Sequence, residues 1–139
     1  MSAGPDGMSA SDIAQAVASR RLSAAEAAEA ALARIAKHDR VLNSFTDVTA
    51  ERARARAREI DAAVATGKNV GPLAGVPFAV KNLFDVKGLS TRAGSKINRD
   101  RPLASRDATL IERMEASGAV LVGALNMGEY AYDFTGENI

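Results

Sequence analysis

GPLAGVPFAVKNLFDVKGLSTRAGS, residues 71–95, carries most of the architectural information in this 139-residue chain. A short apolar run, Val76-Pro77-Phe78-Ala79-Val80, ends on Lys81, with glycines on both sides. Apolar runs of this length bounded by turn residues read as buried strands. Residues 77–81 are therefore expected to form a strand and residues 83–88 a loop. A lysine in that position points into or beside a core. Lysine is rarely fully buried unless it is paired or functional. Burial disfavours the charged amine, and a neutral amine can serve as a base. The competing reading is a lysine whose stem packs while its amine reaches water.

Outward from this stretch the chain divides into a helical front and an α/β rear. Residues 9–20 suggest a first short helix. Ser23-Ala24-Ala25-Glu26 has the form of a capping box and opens a second helix to about Lys37. Residues 44–48 alternate and predict a short strand. A third helix runs over about 49–66, with Ala53, Ala57, Ile60 and Val64 on one stripe and Gly67 at its stop. Arg52, Arg54, Arg56 and Arg58 lie off that stripe and interleave with Glu51, Glu59 and Asp61, which reads as a solvated face rather than a nucleic-acid surface. Downstream, Ser105 or Asp107 is expected to cap a helix through Ser117. Leu110, Ile111 and Met114 would face inward and Gly118 would end it. The continuous apolar run 119–125 is expected to be a central strand covered on both faces. This alternation argues for an α/β fold: N-terminal helices over residues 9–70, then the start of a mixed sheet covered by helices over 71–139. Lys81 and Asn126 would then sit at similar strand ends, where open α/β sheets bind ligands.

Composition narrows the class. Apolar residues make up 47% and aromatics 4%, so any core is built from small aliphatic side chains. A net charge of +1 gives no electrostatic case for nucleic acid or a membrane surface. There is no cysteine, which excludes disulfides and cysteine-bound metal, and a single histidine, His38, expected near a helix end. The N-terminus lacks the basic and apolar regions of a signal peptide, and no apolar run approaches a membrane span. A cytoplasmic location is expected.

The segment from Gly71 to Gly88 resembles the lysine-bearing motif of the amidase signature family. The similarity continues through Thr91-Arg92-Ala93-Gly94-Ser95, Asp107-Ala108-Thr109-Leu110-Ile111, residues 117–123, and Asn126-Met127-Gly128-Glu129-Tyr130-Ala131. Order and spacing are continuous. The resemblance implies an amidase signature fold, incomplete here, and a Ser-cisSer-Lys triad whose lysine is Lys81. Ala131 and Tyr132 match a stretch that borders the family's substrate pocket. Neither cofactor nor metal is implied. Asn82 stands where the family often has aspartate, and alternation turns it away from the amine, so it is expected to support backbone. Asn126 could bond loop backbone or line the pocket. Gly94-Ser95 reads as a tight turn. Tyr130, Tyr132 and Phe134 alternate, which suggests packing.

Both serines of the triad are missing. In the family the nucleophile lies in a loop rich in glycine and serine, and no such loop occurs in residues 1–139. The chain is therefore expected to be the N-terminal part of a single amidase domain. The details V-K-N-L-F-D and A-G-S-K-I-N are most similar to the branch acting on small urea-like amides such as biuret. Alternatives are the amidase-type component of an aminoacyl-tRNA amidotransferase, or a non-catalytic truncated fragment retained as an interaction module. The partners implied are a small amide substrate and either a second copy or a small accessory subunit.

Overall fold

The computed structural model describes residues 5–132. Four helices and three strands alternate along them: α1 (Ala10–Ala18), α2 (Ala24–Leu42), β1 (Phe45–Val48), α3 (Ala50–Ala65), β2 (Pro77–Lys81), α4 (Thr109–Ala116) and β3 (Val120–Leu125). Single 3-10 turns follow β2 at Lys96–Asn98 and β3 at Glu129–Ala131.

Local chemistry starts the first two helices. Ser9 and Asp12 form a capping box on α1, and Ser23 and Glu26 form the one expected on α2. The exchanged hydrogen bonds hold both acids below the usual carboxylate range: the Ser9 hydroxyl leads for Asp12, and the Ser23 backbone N–H for Glu26. A second cap on α2 is tertiary. Asp61, from α3, accepts from the backbone N–H groups of Ala24 (2.7 Å) and Ala25 (3.1 Å). Helix α2 runs past the expected Lys37 to Leu42, because nothing before Asn43 breaks it. Asn43 takes the left-handed conformation (φ 51°) that ends the helix. Asp39, still helical, then accepts from the backbone N–H of Ser44 and Phe45 and leads the chain into β1.

The sheet is mixed, in the order β1-β3-β2. The late strand β3 lies in the middle, antiparallel to β1 and parallel to β2. As expected for a central strand, its side chains are buried on both faces. Val120 and Val122 join Val17, Ala28, Ala57 and Ile60 in a core beneath α1–α3. Leu121 turns to the opposite face, with Val80, Val86 and Ile111. The predicted stripe of α3 is buried throughout.

Helix α4 departs from expectation in two ways. Its N-cap is Ala108, with no side-chain cap, so neither Ser105 nor Asp107 caps it. Leu110 is 44% exposed, and Ile111 is the fully buried side chain of this helix. The missing cap has an electrostatic reason. Asp107 is engaged by Arg52 of α3, whose guanidinium donates two hydrogen bonds of 2.8 Å to its carboxylate and two more to Glu115. Arg52 is thus a half-buried clamp between α3 and α4, not part of a solvated face. Its hydrogen bonds, with one from the Lys87 backbone, hold the Asp107 carboxyl below the usual range. Gly118 ends α4 as predicted, at φ +94°, where a β-carbon would strike the Val70 carbonyl.

Candidate active site

Lys81 is the last residue of β2. Parallel register sets it beside Leu125, so β2 and β3 finish together and Asn126 follows at the same end. The sequence places Lys81 in or beside the core; in the structure its side chain is exposed. Its place at the strand end is the cause. Val80 packs with Leu121 on one face and Ala79 against the α1–α3 core on the other, whereas Lys81 is the last residue of β2, an edge strand among the described residues. No serine hydroxyl is hydrogen-bonded to Lys81 among the described residues.

Asn82 supports backbone, as expected, and does so at a junction of all three strands. It is 2% exposed. Its N–H donates to Leu125 O (2.9 Å), extending the parallel ladder, and its own carbonyl accepts from Ala93 N (2.7 Å). The side-chain Oδ1 accepts from Arg92 N (2.6 Å), while Nδ2 donates to Thr46 Oγ1 (2.7 Å) on β1. Every polar atom of this buried residue is therefore engaged.

Two loops meet at this end of the sheet. Residues 92–98 follow β2 and residues 126–132 follow β3. Gly94 (φ +69°) lets their backbones touch, since a β-carbon there would strike the Met127 carbonyl. Ser95 forms the expected turn through its N–H to Arg92 O (2.9 Å). Its buried hydroxyl also donates to Glu129 Oε1 at 2.5 Å. Asn98, 4% exposed, donates from Nδ2 to Arg92 O and to the Tyr130 hydroxyl, both 3.0 Å away. Asn126 bonds loop backbone, one of the two roles considered for it: its Oδ1 accepts from Met127 N and its Nδ2 donates to Asn43 O; it also lines a surface groove. That groove, about 340 Å³, is made cationic by Arg92, Lys96 and Arg99, with Asp47 beside Arg92 at 3.6 Å.

Ala131 and Tyr132 are exposed and lie just beyond these contacts. They are connected to the lysine strand through backbone: Tyr130 N donates to Ala93 O (2.8 Å), and Ala93 N to Asn82 O. The predicted lysine and the predicted border segment thus share one sheet end. Tyr130 and Tyr132 are exposed rather than packed, and Phe134 lies outside the described residues. The roles of Ser95, Asn98 and Glu129 are not legible in the sequence. Gly94-Ser95 signals a turn, but nothing local marks Asn98 or pairs Ser95 with a residue 34 positions away.

Residues 26–139 match the family model for amidases. The chain belongs to the amidase signature family. Among its amidase relatives is AtzE, the 1-carboxybiuret hydrolase subunit of Pseudomonas sp. (strain ADP), 54% identical over 127 residues, 91% of this chain and 28% of that protein. A glutamyl-tRNA(Gln) amidotransferase subunit of Anaeromyxobacter sp. (strain K) is 49% identical over 122 residues, covering 88% of this chain and 25% of its own length. A solved inhibitor-bound structure, described as a vestigial protein complex revealing the evolutionary origins of an s-triazine catabolic enzyme, superposes with a TM-score of 0.92. It is 53% identical over 94% of this chain and 29% of its own. The chain thus spans between a quarter and a third of the length of these amidases. No helix among its described residues is long and apolar enough to cross a membrane.

Proposed function

We propose that this chain is the N-terminal part of an amidase domain and supplies the lysine of a Ser-cisSer-Lys amide hydrolase acting on small urea-like amides. Both serines would lie outside residues 1–139. The observation that carries the reading is the position of Lys81. It ends β2 level with the end of β3, within the matched amidase region, where the loop bearing Ala131 and Tyr132 also arrives.

In this reading the neutral Lys81 amine takes the proton of the nucleophilic serine, relayed through the second serine. The serine oxygen attacks the amide carbon, the amine leaves with a proton, and water cleaves the acyl-enzyme. Lys81 is exposed on residues 5–132. Ala131 and Tyr132 border the substrate. The 54% identity to a carboxybiuret hydrolase subunit favours a small urea-like amide. The test is ammonia release from biuret, malonamide and acetamide by the protein of the complete open reading frame, beside its Lys81→Ala variant. Equal release by both would refute the assignment.

The 49% identity to an amidotransferase subunit favours a second reading, in which the acyl-enzyme step delivers ammonia to a transfer reaction. Glutamine hydrolysis that rises only when charged tRNA and partner subunits are added would select it.

A further inference from the structure

Where the chain enters the proposed border segment the backbone is strained. Tyr130 (φ 51°) and Ala131 (φ 58°) are consecutive non-glycine residues in the left-handed region. Each such residue is disfavoured and persists only where its surroundings over-determine it. The surroundings here are specific. On one side of Tyr130, Ser95 holds Glu129. On the ring itself, Asn98 holds the hydroxyl. Between them the Tyr130 N–H is bonded to Ala93 O, and Gly94 packs bare backbone against residues 127–128. Ser95 and Asn98 are each 4% exposed although both are polar, whereas Tyr130 is 51% exposed and draws little from burial. The same 92–98 loop is bonded through Arg92 and Ala93 to Asn82, the residue after Lys81.

We propose that Ser95 and Asn98 are positioning residues: by fastening Glu129 and Tyr130 they set Ala131 and Tyr132 at a fixed place relative to the lysine strand, so that the segment is already formed to bind the amide. The inference rests on the amidase reading above. The loop 92–98 acts as a rigid spacer with one end on the lysine strand and the other on the border segment. The clasp contributes to substrate binding without touching the reacting atoms. Its loss therefore appears in KM while kcat is kept, the pattern of lost uniform binding.

The test uses the complete open reading frame protein and the fastest-cleaved of biuret, malonamide and acetamide. Tyr130→Phe removes the acceptor and keeps the ring; Ser95→Ala removes the other fastening. Each is expected to raise KM about fivefold with kcat within about twofold, as befits one hydrogen bond. Glu129→Gln keeps an acceptor for the Ser95 hydroxyl and should recover most of the KM lost in Glu129→Ala. Hydrogen exchange supplies a readout independent of turnover: the Tyr130 and Tyr132 amides should lose protection in Ser95→Ala and Tyr130→Phe, while β3 keeps its own. If Ser95→Ala fails to fold, Tyr130→Phe decides. Unchanged KM and unchanged exchange in a folded variant overturn the proposal, as does a fall in kcat at constant KM. Lys81→Ala reads the other assignment separately: an active Lys81→Ala protein sinks the base while leaving the KM effects measurable. A wild type that cleaves none of the amides overturns both.

Discussion

Lys81→Arg separates a proton-accepting role from a purely electrostatic one. Arginine keeps its charge over the accessible pH range and cannot act as the base. In the complete open reading frame protein, Lys81→Arg and Lys81→Ala should both lose about 10²–10⁴-fold of kcat, the usual share of a general base. Circular dichroism checks that both are folded. Near-normal turnover by a folded Lys81→Arg protein would exclude the base role. Asn82 makes a second residue-scale prediction. Its Nδ2 lies 3.4 Å from Asp47 Oδ2, besides donating to Thr46. Asn82→Asp would turn that donor into a second carboxylate facing Asp47, at a cost of about 1–3 kcal/mol in denaturant unfolding. Adding Asp47→Asn should restore part of the loss. If Asn82→Asp unfolds at the wild-type midpoint, Asn82 is not the junction described above.

At the scale of elements, the clamp of Arg52 on Asp107 and Glu115 ties α3 to α4. Asp107→Asn should cost about 2 kcal/mol, since hydrogen bonds to charged groups exceed neutral ones. The pH dependence follows from the direction of the shift. The Asp107 carboxyl is held below its ordinary value of 3.8, chiefly by the Arg52 hydrogen bonds. Its contribution is therefore complete above that value and is lost as pH falls below it, through the folded carboxyl's own titration. Unfolding midpoints measured from about pH 6 down to about pH 2 should converge for wild type and Asp107→Asn at the acid end; a constant gap would contradict the pairing. This clamp also shows what sequence can reveal. Strand β2 is legible to the residue because its apolar run is bounded by local breakers. The stripe of α3 is legible because periodicity is a local property. Arg52 reads as solvated in the sequence because its partners lie 55 and 63 positions away. Asp107 reads as a cap because nothing local records that a guanidinium claims it. The same reason hides the pairing of Ser95 with Glu129 and of Asn98 with Tyr130, partners from the other side of β3, and Asp61, which caps a helix that begins 37 residues earlier.

For the molecule as a whole, both outer strands, β1 and β2, carry an open edge among the described residues. Open edges and partly covered apolar faces favour association over a unique fold. The 139-residue chain made alone should be loosely folded or aggregated, with its helices better formed than its sheet, and should release no ammonia from small amides above a Lys81→Ala control. A sharp cooperative melt of a clean monomer would contradict the first expectation, and ammonia release above that control the second. The central place of β3 has a further consequence, for the order of events during translation. Both sheet pairings require it, yet it is the last of the three strands to be made. At about 5–20 residues per second, β1 leaves the ribosome several seconds before any partner exists. Helices α1–α3 can assemble in that interval through the Asp61 cap. Their apolar underside then waits for Val120 and Val122, and a slow codon or a bound chaperone in the stretch between β2 and β3 would prolong the wait.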